Sequence, residues 1–272
     1  MNLKGIQLAI IALFGTLVLL TGDAKAQLFL ENAKVALAAS GGEHLSGSLT
    51  IHNMSSDKIY VKVYWEDFEY KKPYDGTKNF SPAGLAPGSA SQWVTFSPPV
   101  FTIPPMGQQT VDYAVAVPST LQEGHYGVLF FEKSPDPIKD VKEGVSIVTR
   151  VGCLFFIEPK DKNKKALLQD FAVTGNSVTA KFINQGNVIL IPRTTYYMMQ
   201  DGGVVLFRGE AKKLYLPQGT TGILDIPLKE KLKPGNYTFV VNSDLEDGDV
   251  VVKEVNLTVD AAGQITVTNS QN

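Results

Sequence analysis

Apolar and polar residues alternate with a period of two along most of the chain that follows Gln27. The segments "GSLTIHN", "IYVKVYW" and "VDYAVAV" each place β-branched, leucine or aromatic side chains on one face and mostly smaller or polar side chains on the other. This pattern is typical of half-buried strands, and no sustained helical period occurs. Gly, Pro, Asn and Asp separate the segments. Many short strands at this spacing predict an all-β protein built as a β-sandwich.

An internal repeat predicts two domains of one topology. "LQEGHY" ends at Tyr126 and "LKPGNY" ends at Tyr237, 111 residues later. Upstream, "PMGQQTV" (Pro105–Val111) corresponds to "PQGTTGI" (Pro217–Ile223), and Asn53 corresponds to Asn184. A repeat spacing of about 111 residues matches the length of one immunoglobulin-like domain. We therefore expect two immunoglobulin-like β-sandwich domains in tandem.

The repeat also indicates the boundaries of these domains. We expect a first domain at 27–159 that carries a surface insertion at Lys71–Ala90, rich in Gly and Pro, because the first copy is longer than the second. The linker is the polar stretch at 160–165, the second domain covers 166–260, and 261–272 form a loose tail.

The two repeated tyrosines have a predicted structural role. Tyr126 and Tyr237 each follow a turn glycine by two residues. A tyrosine at this corner of an immunoglobulin-like fold donates its hydroxyl to backbone a few residues upstream. We therefore expect equivalent tyrosine corners that stabilise the two sandwiches.

The amino terminus has the three parts of a secretory signal. Lys4 precedes an apolar run from Ile6 to Leu20, and small residues follow at Ala24 and Ala26. This pattern predicts a signal peptide at 1–26 and export to the periplasm, with the cell surface or the medium as the alternative. The apolar run is shorter than the roughly 20 residues of a membrane-spanning helix.

Composition narrows the function further. The formal net charge of −2 and the lack of a basic run disfavour a nucleic-acid-binding protein. Cys153 is the single cysteine, so no intrachain disulfide can form and each domain depends on its core.

The order of motifs in the first domain resembles that of the periplasmic pilus-assembly chaperones, the PapD-like proteins, over about half of the chain. The opening strand "LENAKVAL" is followed by "GSLTIHNMSSDKIYVKVYW", "PPVFTIPPMGQQTV" and "VPSTLQEGHYGVLFFEKSP", and the domain closes with "VSIVTRVGCLFFIEP". The resemblance implies a non-enzymatic protein that lends an edge strand to an incomplete pilus or surface subunit. It also implies two basic side chains that hold the carboxylate terminus of that subunit.

The two basic positions are matched in part. Lys34 stands in the opening strand where the family usually has Arg. Leu154 occupies the second basic position when the closing strand is aligned on Pro159. Arg150 lies four residues earlier on the same face, so it can replace the missing Lys only with a change of register. Lys34 and Arg150 are therefore the candidate carboxylate anchors.

The closing strand, Val145–Ile157, has two apolar faces. Its odd positions form one apolar face, interrupted at Thr149, while the opposite face adds Val148, Leu154 and Phe156 beside Arg150. If this strand lies at a sheet edge, a protein partner can add a strand and contact Val148, Arg150, Leu154 and Phe156. The alternative is that the second domain or the insertion covers this face, as proteins usually cover such edges.

The sequence has no motif typical of a catalytic or metal-binding site. His44, His52 and His125 have no partner at metal-ligand spacing, and no nucleophile, zinc or phosphate-loop motif occurs. The sequence thus predicts no enzyme activity and no cofactor.

The acidic stretch "NSDLEDGDV" has two interpretations. It is either a hairpin turn or a weak calcium candidate that uses oxygens from four side chains. These are Asp244, Glu246, Asp247 and Asp249.

Three functional hypotheses follow from these observations. The first is an exported protein-binding module that serves as a chaperone for surface subunits. The second is a structural component of a surface or envelope assembly. The third is a secreted hydrolase whose site is assembled from residues distant in sequence.

Overall fold

A computed structural model describes residues 27–135, 148–200, 202–228, 232–247 and 250–271. The predicted signal peptide at 1–26 lies outside the described residues. All regular structure in the described ranges is β-strand, which confirms the predicted fold class. No helix that could cross a membrane occurs in this part of the chain.

Ten strands form the first sandwich. They are β1 (Leu28–Leu30), β2 (Lys34–Ala39), β3 (His44–Asn53), β4 (Ile59–Tyr70), β5 (Lys78–Pro82), β6 (Val94–Ser97), β7 (Val100–Ile103), β8 (Gln108–Ala116), β9 (His125–Ser134) and β10 (Arg150–Pro159). A four-stranded sheet has the order β1-β3-β8-β6. A six-stranded sheet has the order β2-β10-β9-β4-β5, with β7 also paired to β4.

The core of the first sandwich lies between these two sheets. Alternating side chains of β4, β9 and β10 enter it, among them Val61, Leu129, Phe131 and Phe155, which are fully buried. Because side chains in a strand alternate between faces, the even-numbered residues of β9 and β10 point away from this core. They form the outer face of the six-stranded sheet.

Eight strands form the second sandwich. They are β11 (Ala166–Thr174), β12 (Ser177–Asn184), β13 (Arg193–Gln200), β14 (Val204–Glu210), β15 (Thr221–Pro227), β16 (Gly235–Asp244), β17 (Val250–Val259) and β18 (Ile265–Gln271). A three-stranded sheet has the order β11-β12-β15, and a five-stranded sheet has the order β14-β13-β16-β17-β18. β10 ends at Pro159 and β11 begins at Ala166, so the strand boundaries coincide with the ends of the expected linker.

Two asparagines occupy equivalent positions in the two sandwiches, as the repeat predicted. The side-chain amide of Asn53 donates to the carbonyls of Asp57, Ile103 and Pro104. The amide of Asn184 donates to three corresponding carbonyls, those of Val188, Leu216 and Pro217. Each asparagine thus joins the end of one strand to the turn before another strand of the same sheet.

The alignment of the second repeated segment was wrong by one residue. Pro104, not Pro105, is the counterpart of Pro217, because both prolines bond the equivalent asparagine and both accept a bond from a residue three positions later. Sequence similarity alone did not resolve this shift, since consecutive prolines occur at 104 and 105.

The additional residues that make the first domain longer than the second do not coincide with the expected insertion at Lys71–Ala90. β5 lies inside that range and pairs with β4, as β14 pairs with β13 in the second sandwich. Between β5 and β8, the first sandwich has two strands without a counterpart in the second, β6 and β7. The many Gly and Pro residues around β5 hid this short strand from the periodicity analysis.

The expectation that 261–272 form a loose tail is also wrong. Residues Ile265–Gln271 form β18, an antiparallel neighbour of β17. Ile265 and Val267 pack against the core of the second sandwich, and this apolar contact fixes the segment at the sheet edge. The second domain therefore extends to Gln271.

Only one of the two tyrosine corners has the expected geometry. The hydroxyl of Tyr237 donates to the carbonyl of Lys233 at 2.7 Å, four residues upstream, so this corner is confirmed. The hydroxyl of Tyr126 instead accepts a bond from the backbone N–H of Ile189 at 2.9 Å, in the second domain. The difference arises because Tyr126 lies on the outer face of its sheet, whereas Tyr237 lies on the inner face of its own.

The bond to Tyr126 belongs to a larger contact between the domains. The N–H of Gly124 donates to Asn187 O at 2.8 Å, and the N–H of Tyr215 donates to Tyr74 O at 2.8 Å. The ring of Tyr70 lies 4.9 Å from that of Tyr215, centroid to centroid. One continuous set of buried residues therefore includes the second core and the outer face of the six-stranded sheet.

We expect Tyr126→Phe to lower the free energy of unfolding by about 1 kcal/mol, the net value of one buried hydrogen bond. The Ile189 amide should also exchange with solvent faster, because its acceptor is lost. Urea unfolding and hydrogen exchange measure the two effects. The matched change Tyr237→Phe should cost a similar free energy but leave exchange at Ile189 unaltered. Unchanged exchange in Tyr126→Phe would contradict the interdomain role.

Candidate protein-binding surface

The closing strand β10 has one edge that is covered only in part. β9 pairs with β10 along Arg150–Ile157, on one side. On the other side β2 runs parallel to β10, but its pairing begins only at Leu154 and continues to Pro159. Among the described residues no strand pairs with the edge of β10 before Leu154. Within the described part of the chain, the first part of the closing strand is therefore an open sheet edge. Val145 and Ile147 lie outside the described residues.

The direction of the backbone groups identifies what this edge offers. The carbonyl of Thr149 accepts a bond from Lys133 of β9, and the N–H of Leu154 donates to Ala33, on the opposite side. Since consecutive residues of a strand direct their N–H and C=O groups to opposite sides, those of Val148, Arg150 and Gly152 point away from β9. These groups can pair with an added strand.

Of the four predicted partner contacts, two lie at this edge and two do not. Val148 is 52% exposed and Arg150 is exposed. Leu154 and Phe156 lie where β2 already covers the edge, and Phe156 is only 4% exposed. The expectation that Phe156 faces a partner is therefore wrong. Its ring packs against Phe68 and Tyr126, with centroids 6.0 and 5.2 Å away.

The outer face of the six-stranded sheet is aromatic next to the open edge. Seven aromatic side chains from four neighbouring strands lie on it, and several are in ring contact with one another. They are Tyr64, Phe68, Tyr70, Phe80, Tyr126, Phe130 and Phe156. Phe80 is 39% exposed, and Tyr64 is partly exposed. The end of this face near Arg150 thus presents apolar surface to solvent, while the other end is covered by the second domain.

Arg150, a candidate anchor for the carboxylate terminus of a subunit, contacts side chains of its own domain on this face. Its Nη1 donates to Tyr64 Oη and to Glu66 Oε1, both at 2.9 Å. The guanidinium carbon lies 3.8 Å from the centroid of Phe130. Tyr64 in turn donates to Glu132 at 2.6 Å. Burial, together with the hydrogen bond to Glu132, raises the pKa of Tyr64.

The two candidate carboxylate anchors are not brought together. Lys34 lies directly opposite Leu154, with its Nζ 4.3 Å from the centroid of Phe156. Arg150 precedes Leu154 by four residues, which is about 13 Å along an extended strand. The register change that would allow Arg150 to replace the missing Lys is absent, because β2 and β10 pair Lys34 with Leu154. Of the two candidate anchors, Lys34 alone lies at a position where the family resemblance implies a basic residue.

The acidic stretch of the second domain faces lysines of the linker. Asp247 forms ion pairs with Lys162 at 3.1 Å and with Lys164 at 2.9 Å. Glu246 lies 3.4 Å from Lys164. Hydrogen bonds from Lys164 and Lys162 lower the pKa of Asp247. Asp249 lies outside the described residues.

The ranges that the structure covers hold no assembled metal centre, and His125 makes no hydrogen bond there with a serine hydroxyl, as a triad requires. No group of three metal-ligating side chains occurs among them. The ring of His125 approaches the backbone carbonyl of Ser89 at 3.3 Å, not its hydroxyl. That hydroxyl donates to Asp67 at 2.6 Å, and Asp67 also accepts the N–H of Ala86 and the indole N–H of Trp65. This buried carboxylate therefore holds the loop before β6.

Cys153 lies in the core of the first sandwich and is fully buried. Burial raises the pKa of its thiol to about 12. A thiol in this environment is protonated at neutral pH and acts as a small apolar side chain.

Sequence reasoning missed several residues of the surface, although one signal was present. In the segment that became β4, the residues opposite the core include Tyr64, Phe68 and Tyr70. An aromatic second face on a strand predicts that this face is covered or binds something. No local sequence pattern identified the neighbours of Arg150, which are Glu66, Glu132 and Phe80. Their position beside Arg150 depends on the pairing of four strands.

No protein family matches the sequence, and no curated protein is detectably similar to it. Solved structures, in contrast, share the fold. A chain of a chaperone–tip adhesin complex of CFA/I fimbriae superposes with a TM-score of 0.54 at 11% sequence identity, over 84% of this chain and 97% of that chain. The class 5 fimbrial chaperone CfaA superposes with a TM-score of 0.53 at 12% identity, over 89% of this chain and 100% of its own. The predicted fold of two immunoglobulin-like β-sandwich domains in tandem is thus confirmed.

Proposed function

We propose that this protein is an exported, non-enzymatic chaperone of pilus or other surface subunits, and that it acts by donating the open edge of β10. One observation carries the proposal. Among the described residues, the main chain of Thr149–Gly152 is bonded to β9 on one side and pairs with no strand on the other, beside an aromatic face that is partly exposed. Natural proteins usually cover such an edge, so an open one points to a strand-pairing partner.

The fold supports this assignment independently of the edge. Both superposable structures come from fimbrial chaperones or their complexes, and one contains a tip adhesin. A chaperone of this kind works in the periplasm, which agrees with the export signal predicted at 1–26. At this level of sequence identity the similarity concerns the fold, so the partner is argued from the surface.

The surface supplies two kinds of contact to an added strand. The N–H and C=O groups of Val148, Arg150 and Gly152 pair with the main chain of the subunit, and pairing of this type is independent of sequence. The exposed rings near Arg150 then pack against alternate side chains of the subunit. Lys34, further along the sheet, is the remaining candidate for contact with a carboxylate terminus, with one positive charge in place of the two that the family resemblance implies.

Replacing Val148 with Pro tests the proposal. Proline removes one N–H donor from the open edge and is tolerated at sheet edges where that N–H has no partner in the sheet. We expect the mature variant to retain at least tenfold less surface subunit than the unaltered protein when both are purified from the periplasm of the native host. Quantitative mass spectrometry of the co-purified subunit gives the ratio.

Val148→Ala is the matched control, since it shortens the same side chain and keeps the N–H. Both variants should show unaltered far-UV circular dichroism. If Val148→Pro retains as much subunit as Val148→Ala, strand donation from this edge is wrong. If the protein is instead recovered in sheared surface material in proportion to the subunits, it is a structural component of the assembly and not a chaperone.

A further inference from the structure

A cavity of about 310 Å³ opens between the two domains, next to the aromatic face of the six-stranded sheet. Phe68, Tyr70 and Tyr126 contribute walls from the first domain, and Ile189 and Pro217 contribute walls from the second. This volume is at the small end of the range for ligand pockets, and pockets of this kind often lie at domain interfaces. It is therefore large enough for one extended side chain.

The hydroxyls of two tyrosines that line this cavity have no hydrogen-bond partner among the described residues. Tyr70 is 6% exposed and Tyr74 is 7% exposed, and both line the cavity. No fully buried side-chain oxygen or nitrogen of the described residues is without a partner, so both hydroxyls must reach solvent. The cavity gives them that access. Two nearly buried polar groups are thus available to a ligand.

Two acidic residues complete the lining and set the sign of its charge. Glu69 and Glu123 are exposed residues of the first domain that border the cavity. Neither forms an ion pair with any described residue, and no Lys, Arg or His lines the cavity. Outside the lining, the Nζ of Lys78 lies 5.0 Å from the centroid of the Tyr70 ring and donates to the carbonyl of Gly76 at 3.4 Å. The pocket is therefore negative and rich in acceptors.

We propose that this cavity binds a guanidinium group, that of an arginine side chain on the bound subunit. A guanidinium carries five N–H donors and no acceptor, which suits two carboxylates and two phenol oxygens. Charge-assisted bonds of this type are stronger than neutral ones. The apolar stem of the side chain contacts Pro87, Ile189 and Pro217. An ammonium is less suited, because it is a more strongly hydrated point charge without the planar fork.

The subunit as the source of the arginine rests on the proposed function, but the site itself does not. The cavity is adjacent to the aromatic face, since Phe68 and Tyr126 line the cavity and both rings contact Phe156 on β10. A subunit paired at the open edge of β10 reaches this cavity along the aromatic face, across β9 to the end of β4. The site would add side-chain specificity to main-chain pairing, which by itself discriminates little between sequences.

A small probe tests the site without the subunit. N-acetyl-arginine amide is titrated into the mature full-length chain, labelled with ¹⁵N, and amide shifts are recorded. We expect saturable shifts at Gly88 and Ile189, which line the cavity. N-acetyl-citrulline amide, a neutral analogue of similar shape, should cause none. The double variant Glu69→Gln, Glu123→Gln should bind the arginine probe at least tenfold more weakly, with its spectrum otherwise preserved.

The matched control is Glu254→Gln, an exposed glutamate on β17 away from the cavity, which should bind the probe like the unaltered protein. Equal shifts with the citrulline probe, or equal affinity in the double variant, would overturn the inference. Tighter binding of N-acetyl-lysine amide would overturn the choice of guanidinium. If the double variant loses probe binding but still captures the subunit, the proposed function stands and the arginine of the subunit is not needed for capture. If the probe binds the cavity but no subunit is captured at the β10 edge, the cavity site stands and the proposed function is wrong.

Discussion

Replacing Asn184 with Ala is expected to lower the free energy of unfolding by about 3–5 kcal/mol. The side-chain amide of Asn184 donates to three backbone carbonyls, at 2.8, 2.9 and 3.1 Å, and its oxygen accepts the N–H of Gly186 at 2.8 Å. The residue is 1% exposed, so water cannot replace these bonds without opening the turn. Each buried group that loses its partner costs about 1–3 kcal/mol, and relaxation of the turn recovers part of the sum.

Urea unfolding followed by far-UV circular dichroism measures this loss of free energy. The transition of the second domain is analysed separately, because two domains need not unfold together. Asn176→Ala is the matched control in the same domain. Asn176 donates one bond, to Leu228 O at 2.7 Å, from a partly buried position. Its replacement should cost about 1 kcal/mol. A cost for Asn184→Ala no larger than that of the control would show that the three-carbonyl arrangement contributes little.

Replacing Gly127 with Ala is expected to cost at least about 3 kcal/mol, at the upper end of the cost of overpacking a core. A Cβ at this position would lie 2.0 Å from Cζ2 of the Trp65 indole. That ring cannot move aside easily, because it packs against Phe155 with centroids 5.3 Å apart and donates to Asp67. The added methyl group must therefore shift the indole or separate β9 from the core.

Trp fluorescence and urea unfolding together measure the effect, since a displaced indole changes both. Gly88→Ala is the control, because a Cβ there meets no atom closer than 3.7 Å. It should leave the unfolding midpoint nearly unaltered. If Gly127→Ala unfolds at the same urea concentration as Gly88→Ala, the close packing of Trp65 on β9 is not the constraint described.

The strand content and the tandem organisation were available from the sequence for a local reason. Period-two alternation depends only on neighbouring residues, so "IYVKVYW" and "VDYAVAV" identified β4 and β8 without any knowledge of their partners. Asn53 and Asn184 were likewise matched correctly as repeated positions. The tail at 261–272 was misjudged although "QITVT" alternates, because the pairing of β18 with β17 is a tertiary contact.

Residues with a matching local sequence did not always share a role. Tyr126 and Tyr237 follow the same motif, but a shift of one position relative to the core reverses the face on which a strand residue lies. Tyr237 consequently bonds its own turn, and Tyr126 bonds the second domain. Lys34 and Arg150 were similarly plausible as a pair until the pairing of β2 with β10 set Lys34 opposite Leu154.

The sequence by itself determined that this protein is an all-β chain of two related sandwiches, with an amino-terminal segment typical of export and a closing strand that is apolar on both faces. Only the tertiary structure decided which part of that strand is open and which is covered, where β2 begins to pair, and that Phe156 is buried while Val148 is exposed. The physical reason is that alternation specifies the face of a residue within its own strand. Which strand or domain lies against that face depends on long-range pairing, and the pairing is decided by the whole chain.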